Sequence, residues 1–263
     1  MMGKIESEVT SQTPTVRLDR PARKGFTPTN QALTSPSRMP ERVAPVPPLL
    51  SAGRTDKEFQ AFLNRCRQIG TSLFFEESTS IRSLGFTSAI PGEGKTFLAR
   101  LTAEVMAQEN DVPVTLLECN WEHPTLADAY NLASGPGLSD LLLGRCSLGA
   151  VRRQVVSNLT IIPAGDNTSS AAKLLRDLQQ KGVHNLLNSP DEVLILDLPA
   201  TTTTAYGPLA AHLADALILV VRKGVTPEPS VAAACNALKD LPMRGVIFNQ
   251  IVSRIPGWLR RIL

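Results

Sequence analysis

The stretch Ser88-Ala89-Ile90-Pro91-Gly92-Glu93-Gly94-Lys95-Thr96 decides the fold of this chain. An apolar run at 84–87 precedes it, and residues 97–105 after it carry apolar side chains at helical spacing. The order of strand, glycine-rich loop and helix is the one that a phosphate-binding loop requires. Backbone N–H groups of such a loop converge on one point, and the N-terminus of the following helix adds about half a positive charge. The stretch therefore predicts a cradle for the phosphates of a nucleotide.

Two side chains of this stretch have separate predicted roles. Lys95 would neutralise the β- and γ-phosphates as a point charge, and the Thr96 hydroxyl would occupy one position on Mg²⁺. The strict pattern has glycine at position 89, where this chain has Ala89, so the match is to the relaxed form of the motif. A glycine-rich turn beside a surface lysine is the alternative, and the order of the elements disfavours it. The full set of predicted nucleotide-binding residues in the loop is Pro91, Gly92, Glu93, Gly94, Lys95, Thr96 and Phe97.

The charge distribution argues against nucleic-acid binding. Residues 1–50 hold seven Lys/Arg against four Asp/Glu and so carry the whole net charge of +3, while the remainder of the 263 residues balances at 20 against 20. The four cysteines have no paired spacing, which disfavours a zinc site or a disulfide framework and fits a reducing cytoplasm. The longest apolar run, residues 216–221, is too short to cross a bilayer. We therefore expect a cytoplasmic protein.

The composition divides the chain into three segments. Residues 1–52 hold eight of the twenty prolines and show no sustained periodicity, which predicts a disordered arm. Residues 53–250 are predicted to form one nucleotide-binding domain. Residues 251–263 contain three arginines and no acid, with Trp258, Leu259, Ile262 and Leu263 at helical spacing. Such a tail either packs on its own domain or contacts a membrane through residues 254–263, and the sequence weighs these alternatives equally.

Strand and helix patterns alternate through the middle segment. A helix is predicted to begin near Thr55, and the buried strand 193–197 ends in Asp197. Short right-handed crossovers between such elements give a mostly parallel, doubly wound sheet with helices on both faces and the ligand at the carboxyl ends of the strands. The other predicted strands are 112–117, 159–162, 217–221 and 245–248, and the other predicted helices are 137–143, 169–187, 209–213 and 227–238.

Six stretches of the chain also occur in one known family, in the same order. They lie at 87–96, 116–126, 137–140, 162–165, 196–199 and 245–249. From about residue 58 to 250 the sequence resembles the catalytic domain of bacterial protein-tyrosine kinases of capsule and exopolysaccharide assembly, within the MinD/ParA group of P-loop ATPases. The resemblance implies ATP and Mg²⁺ as cofactors and a membrane protein of the chain-length-determinant type as partner.

The resemblance also implies roles for single residues. Asp197 is implied to be the Walker B carboxylate beside Lys95 and Thr96, and Asn249 is implied to lie near the adenine. A carboxylate that ends a buried strand at the mouth of the cradle can hold Mg²⁺ with Thr96, although it can also cap the next loop. For Asn249, a plain turn residue is an equally supported alternative. The predicted catalytic set is Lys95, Glu118 and Asp197.

The chain departs from this family at three places. The second acidic motif normally offers two aspartates, whereas this chain has Glu118, Asn120, Glu122 and His123 before Pro124. Glu118 would be the remaining catalytic acid, and His123 is either a substitute base or an exposed turn residue. The family ends in a tyrosine cluster, and only two tyrosines occur here, far apart. The oligomerisation helix of the family has a Glu and two Arg; the matching positions here are Asn64, Arg67 and Gly70, so self-assembly by that route is expected to be weak.

These observations lead to one functional expectation with two alternatives. The chain is expected to be a Mg·ATP-binding ATPase or tyrosine-kinase-like regulator of exopolysaccharide or capsule synthesis or export, at the inner face of the membrane. One alternative is a MinD-like spatial regulator whose nucleotide state controls dimerisation and membrane attachment. The other is a non-catalytic nucleotide-binding scaffold.

Overall fold

The computed structural model describes residues 57–74, 81–109, 112–166, 170–187 and 192–249. The predicted arm at 1–52 and the predicted tail at 251–263 lie outside these residues, so both remain predictions. All the described residues belong to the predicted nucleotide-binding segment.

In the described residues seven strands form one sheet, which confirms the predicted mostly parallel architecture. The spatial order is β3-β4-β2-β5-β1-β6-β7, and every neighbouring pair is parallel except β3 with β4. Continuous apolar runs form the central strands because both faces of a parallel sheet are covered. The strands are β1 (Ser83–Ser88), β2 (Val114–Glu118), β3 (Arg153–Val156), β4 (Leu159–Ile162), β5 (Val193–Asp197), β6 (Ala216–Arg222) and β7 (Met243–Asn249).

Helices cover both faces of this sheet. In the described ranges, none of them combines the length and the apolar composition that crossing a bilayer needs. The helices are α1 (Lys57–Phe74), α2 (Lys95–Glu109), α3 (Leu126–Ala129), α4 (Leu138–Leu142), α5 (Leu148–Val151), α6 (Ala171–Lys181), α7 (Val183–Leu187), α8 (Gly207–Ala211) and α9 (Glu228–Ala237).

The core consists of two layers, one on each side of the sheet. Because side chains alternate along a strand, Leu84 and Phe86 of β1 pack with α1 and α2, whereas Leu194 and Leu196 of β5 pack with α4 to α9. The apolar side of α1 predicted from its periodicity is confirmed, because Leu63 and Cys66 are buried on α2 and the other members of that stripe are partly buried. Both predicted layers are therefore present.

One local prediction was wrong, and one strand was not predicted. The helix predicted over 169–187 is two helices, α6 and α7, because Gly182 between them has a φ of 74° that does not continue a helix. The edge strand β3 was not predicted, since its residues, Arg153–Val156, are only partly buried and mix polar with apolar side chains. It pairs antiparallel to β4 and closes that edge of the sheet.

Gly85 in the central strand β1 offers a test of the packing between the layers. A Cβ atom added there would lie 2.6 Å from Leu198 Cδ1 and 2.9 Å from Leu217 Cδ2. We expect Gly85→Ala to lower the free energy of unfolding by ~1–3 kcal/mol through overpacking. Gly149→Ala in α5 is the control, because its added Cβ meets no atom within 4 Å beyond its chain neighbours and the backbone of its own helix. Urea denaturation measures both, and equal stabilities of the two variants would contradict this account of the sheet.

Candidate functional site

The phosphate loop joins the carboxyl end of β1 to the first turn of α2. Gly92 and Gly94 have φ angles of 81° and 94°, in the left-handed region that glycine adopts without a steric penalty. A Cβ atom on Gly94 would also lie 2.1 Å from Asn249 Nδ2. Both glycines are therefore required by backbone conformation, and Gly94 is also required by the close approach of β7.

Three predicted site residues meet at the mouth of this loop. Lys95 Nζ lies 3.1 Å from Asp197 Oδ1, and the Thr96 hydroxyl donates a 2.7 Å hydrogen bond to Asp197 Oδ2. The side chains of Lys95 and Asp197 are 9% and 0% exposed, so this ion pair is buried. The sheet causes the meeting, because β1 and β5 are adjacent parallel strands and their carboxyl ends lie at the same edge.

A cleft of about 420 Å³ opens above these residues. Its floor is the loop itself, and its other walls come from the loop after β2 and the turn after β5. This is the crevice at the carboxyl ends of the strands in which the ligand was expected. The lining residues are Pro91, Gly92, Gly94, Lys95, Thr96, Asn120, Glu122, His123, Thr125, Ala200 and Thr204.

The oxygen atoms beside Lys95 fit a magnesium ion that is shared with a nucleotide. Thr96 Oγ1 and Asp197 Oδ2 are 2.7 Å apart, and Mg²⁺ prefers oxygen ligands from one or two protein groups together with phosphates and water. Among the described residues no group of three or more His, Cys, Asp or Glu side chains is arranged to hold a metal. The donors present therefore suit a metal brought with phosphates better than a metal held by protein ligands alone.

The side chain of Glu93 braces the loop from inside, which the sequence motif did not reveal. Its Oε2 accepts a 2.9 Å hydrogen bond from Ile90 N, and its Oε1 accepts bonds from Arg222 N at 3.1 Å and from the Thr226 hydroxyl. Glu93 is 1% exposed. This predicted nucleotide-binding residue thus has its carboxylate turned away from the cleft, and it ties the loop to the end of β6.

The threonine-rich turn after Asp197 braces the start of the loop. Thr201 N donates to Ser88 O at 2.8 Å, and the Thr202 hydroxyl donates to Ala89 O at 2.6 Å. The carboxylate of Asp197 and the loop that faces it are therefore held by one continuous segment. No sequence pattern indicated this contact, since hydroxyl side chains in a turn give no signal of their partner.

Asn249 and Phe97, two predicted nucleotide-binding residues, make contacts with the protein itself. Asn249 is buried at the end of β7, so it is a strand residue and the turn alternative is wrong; its Nδ2 donates a 2.8 Å hydrogen bond to Glu93 O. The Phe97 ring faces Phe62 of α1 with a 5.9 Å separation of ring centroids. Neither residue lines the cleft. The roles predicted for these two residues in nucleotide binding remain predictions.

Glu118, the expected catalytic acid, holds a loop in this structure. Its Oε1 accepts hydrogen bonds from Thr125 N at 2.5 Å and Leu126 N at 2.9 Å, and its Oε2 accepts one from Ala164 N at 3.0 Å. The residue is fully buried and does not line the cleft. Burial raises the pKa of the Glu118 carboxyl above its ordinary value, and the three N–H donors oppose that shift only in part. This geometry argues for a structural role.

The polar residues that follow Glu118 are the ones that reach the cleft. Asn120 is 5% exposed and donates to His123 O at 3.1 Å, which closes a tight turn. The side chains of Glu122 and His123 are exposed at the cleft wall. One alternative for His123, an exposed turn position, is confirmed. His123 also lies at the cleft, and its role as a base remains a prediction.

Comparisons with known proteins confirm the resemblance inferred from the sequence. No protein-family model matches the chain. Tyrosine-protein kinase YwqD of Bacillus subtilis is 29% identical over 187 residues, which cover 70% of this chain and 78% of YwqD. The succinoglycan biosynthesis transport protein ExoP of Rhizobium meliloti is 26% identical over 175 residues, which cover 64% of this chain and 22% of ExoP. The chain thus spans most of one relative and less than a quarter of the other.

Solved structures with the same fold include kinase domains and ATPases. The kinase domain of Escherichia coli tyrosine kinase ETK superposes with a TM-score of 0.72 at 20% identity, over 82% of this chain and 84% of that domain. The septum site-determining protein MinD of Pyrococcus horikoshii, solved with Mg-ADP, superposes with a TM-score of 0.52 at 21% identity, over 69% and 76%. At these identities the superpositions establish the P-loop fold alone.

Glu118→Gln separates the structural role of this residue from a catalytic one. The amide NH₂ of glutamine cannot accept the hydrogen bond that one carboxylate oxygen accepts now, so we expect the free energy of unfolding to fall by ~1–3 kcal/mol. Glu122→Gln is the matched control and should change stability by less than about 0.5 kcal/mol, because Glu122 is exposed. Chemical denaturation measures both. Full stability of Glu118→Gln with a loss of ATP turnover would restore the catalytic assignment.

Proposed function

We propose that this chain, which is related in sequence and fold to bacterial tyrosine-protein kinases, binds Mg·ATP at its phosphate loop and regulates the synthesis or export of an exopolysaccharide. The proposal rests on the buried contacts that Asp197 makes with Lys95 and Thr96 at the mouth of a glycine-rich loop. An ammonium, a hydroxyl and a carboxylate in this arrangement serve the phosphates and the metal of a nucleoside triphosphate.

The chemistry of such a site is positioning and charge neutralisation. The loop amides and Lys95 would hold the β- and γ-phosphates, while Thr96 and Asp197 would hold Mg²⁺. Bound Mg²⁺ offsets the charge that develops on the phosphoryl oxygens. The protein supplies fixed dipoles and charges in a site from which water is partly excluded, and these contribute most where the reacting group gains charge.

The acceptor of a phosphoryl group would lie on another molecule or be water. Tyr130 is 2% exposed and donates its hydroxyl to Glu104 Oε1 at 2.7 Å, so it is not available for transfer. Tyr206, the other tyrosine of the chain, is half-buried, and burial together with the charge of Glu122 raises the pKa of its hydroxyl. We therefore propose ATP hydrolysis or transfer to a partner protein.

A nucleotide-binding scaffold without catalysis is the second candidate. Two observations favour it: the carboxylate of Glu118 is occupied by three backbone N–H groups, and Asn120 replaces an acid where the resembled family has one. An amide at this position cannot accept a proton. No contact in the described part of the chain favours the MinD-like spatial regulator over these two.

The relatives support a proposal for the partner and the location. ExoP is named a biosynthesis transport protein, and the chain matches only 22% of its length. We propose that a membrane protein of the chain-length-determinant type is the partner of this chain and holds it at the cytoplasmic face of the cell membrane. Self-association through α1 would first have to displace an existing contact, because Arg67 forms a 2.6 Å ion pair with Glu109 of the same chain.

Lys95→Ala and Asp197→Asn test the nucleotide site. Removing a charged donor to the phosphates costs ~1.5–3 kcal/mol, so Lys95→Ala should weaken Mg·ATP binding by roughly 10- to 150-fold. Asp197→Asn should bind ATP and lose Mg²⁺-dependent turnover. Isothermal titration calorimetry measures the affinities, and denaturation curves verify that each variant is folded. Lys223→Ala, an exposed lysine outside the cleft, is the control. Unchanged affinity in Lys95→Ala would contradict the site.

Incubation with γ-labelled ATP and Mg²⁺ tests the reaction. We expect released phosphate from the chain alone, or labelled tyrosine when membrane fragments containing the partner are present, and neither with Asp197→Asn. Tight ATP binding without either product would favour the scaffold. Absence of ATP binding in the wild-type chain would overturn the proposed function in both forms.

A further inference from the structure

The turn that follows β2 presents one acidic side chain to the cleft. Glu122 is exposed and lines the cleft wall. Trp121, which is 1% exposed, donates a 2.9 Å hydrogen bond through Nε1 to Ala164 O. In the same turn Asn120 donates to His123 O at 3.1 Å. The backbone on either side of Glu122 is therefore held in place, and the turn carries the Glu122 side chain at a defined position of the wall.

Two other carboxylates near the cleft are already occupied. Asp197 contacts Lys95 through one oxygen and accepts a hydrogen bond from Thr96 through the other. Glu118 accepts three backbone N–H groups and does not line the cleft. Glu122 forms no ion pair with any Lys, Arg or His of the described ranges. Within those ranges it is the only Asp or Glu that lines the cleft.

The hydroxyl of Tyr206 indicates in which direction the Glu122 carboxylate lies. Burial raises the pKa of this hydroxyl, and the negative charge of Glu122 raises it further, so the two groups are close in space. Tyr206 belongs to the segment between Asp197 and α8, which forms another wall of the cleft and braces the phosphate loop through Thr202. The carboxylate on the β2 wall therefore lies near the wall that follows β5.

We propose that the Glu122 carboxylate accepts the proton of the attacking hydroxyl in phosphoryl transfer from ATP, a role that rests on the proposed function. The oxygen of water, or of a hydroxyl group on a partner protein, forms a bond to the γ-phosphorus while the bond from that phosphorus to the bridging oxygen breaks. The electron pair of the broken bond stays with ADP. The proton of the nucleophile passes to Glu122 and from there to solvent.

The groups that line the cleft leave few alternatives for this role. The ammonium of Lys95, the amide of Asn120 and the threonine hydroxyls are poor proton acceptors, which leaves Glu122 and His123. The Glu122 carboxylate lies near the segment after Asp197, beside which Mg²⁺ and the γ-phosphate are proposed to bind. No hydrogen bond or ion pair within the described residues orients the imidazole of His123. We therefore assign the proton to Glu122.

Glu122→Gln tests this assignment in the full chain. Glutamine has nearly the same shape and cannot accept a proton, so turnover at saturating Mg·ATP should fall by at least ~100-fold. The affinity for Mg·ATP should not fall, because the change removes a negative charge from the site of the phosphates. Glu228→Gln, at an exposed acid of α9 outside the cleft, should keep the turnover of the wild-type chain. Released phosphate and labelled tyrosine from γ-labelled ATP, with and without membrane fragments, measure turnover, and calorimetry measures affinity.

The split between turnover and affinity separates a proton acceptor from a binding or structural residue. A smaller fall in the turnover of Glu122→Gln overturns the assignment, and a large loss in His123→Ala would then give the proton to the imidazole. A loss of Mg·ATP affinity in Glu122→Gln also overturns it, because the carboxylate would then serve binding. A wild-type chain that binds Mg·ATP without turnover overturns this assignment alone and favours the scaffold. A wild-type chain that does not bind Mg·ATP overturns the proposed function together with this assignment.

Discussion

The ion pair between Lys95 and Asp197 is the contact on which the site depends. Their atoms Nζ and Oδ1 are 3.1 Å apart at a place where the carboxylate is fully buried. A charge buried alone is costly, and each of these side chains compensates the other while Thr96 satisfies the second carboxylate oxygen. The pair exists only because β1 and β5 are neighbours. The order of the strands in the sheet therefore determines which charged groups meet in the site.

The phosphate loop is held by side chains from several segments that are distant in sequence. Glu93 ties it to the end of β6, Asn249 ties it to the end of β7, and Thr202 ties its first residues to the turn after β5. A loop that must present its amides to one anion cannot relax at each encounter without loss of affinity. These braces are the protein's means of fixing that geometry beforehand.

The end of β2 shows how one position can lose a reacting group and keep its place in the fold. Glu118 lies opposite Asp197 in register, yet its carboxylate points into the loop that follows and accepts three backbone N–H groups. Asn120 and the exposed residues after it form the cleft wall there. In the proposed function the phosphates bind at the β1 and β5 side of the cleft. The β2 side differs from the acidic pattern of the resembled family.

The sequence by itself determined the sheet, most of its elements and the positions of Lys95 and Thr96, because these follow from apolar periodicity and from the spacing of a glycine-rich motif. Asp197 was predicted from a buried strand that ends in an acid and from the family resemblance. The sequence missed the break at Gly182 and the edge strand β3, where a single backbone angle and a half-buried pattern decide. Only the tertiary structure decided that Glu93 and Glu118 turn inward and that Asn249 supports the loop. Those outcomes depend on hydrogen-bond partners between 3 and 156 residues away, and no local pattern encodes which backbone group a buried side chain will meet.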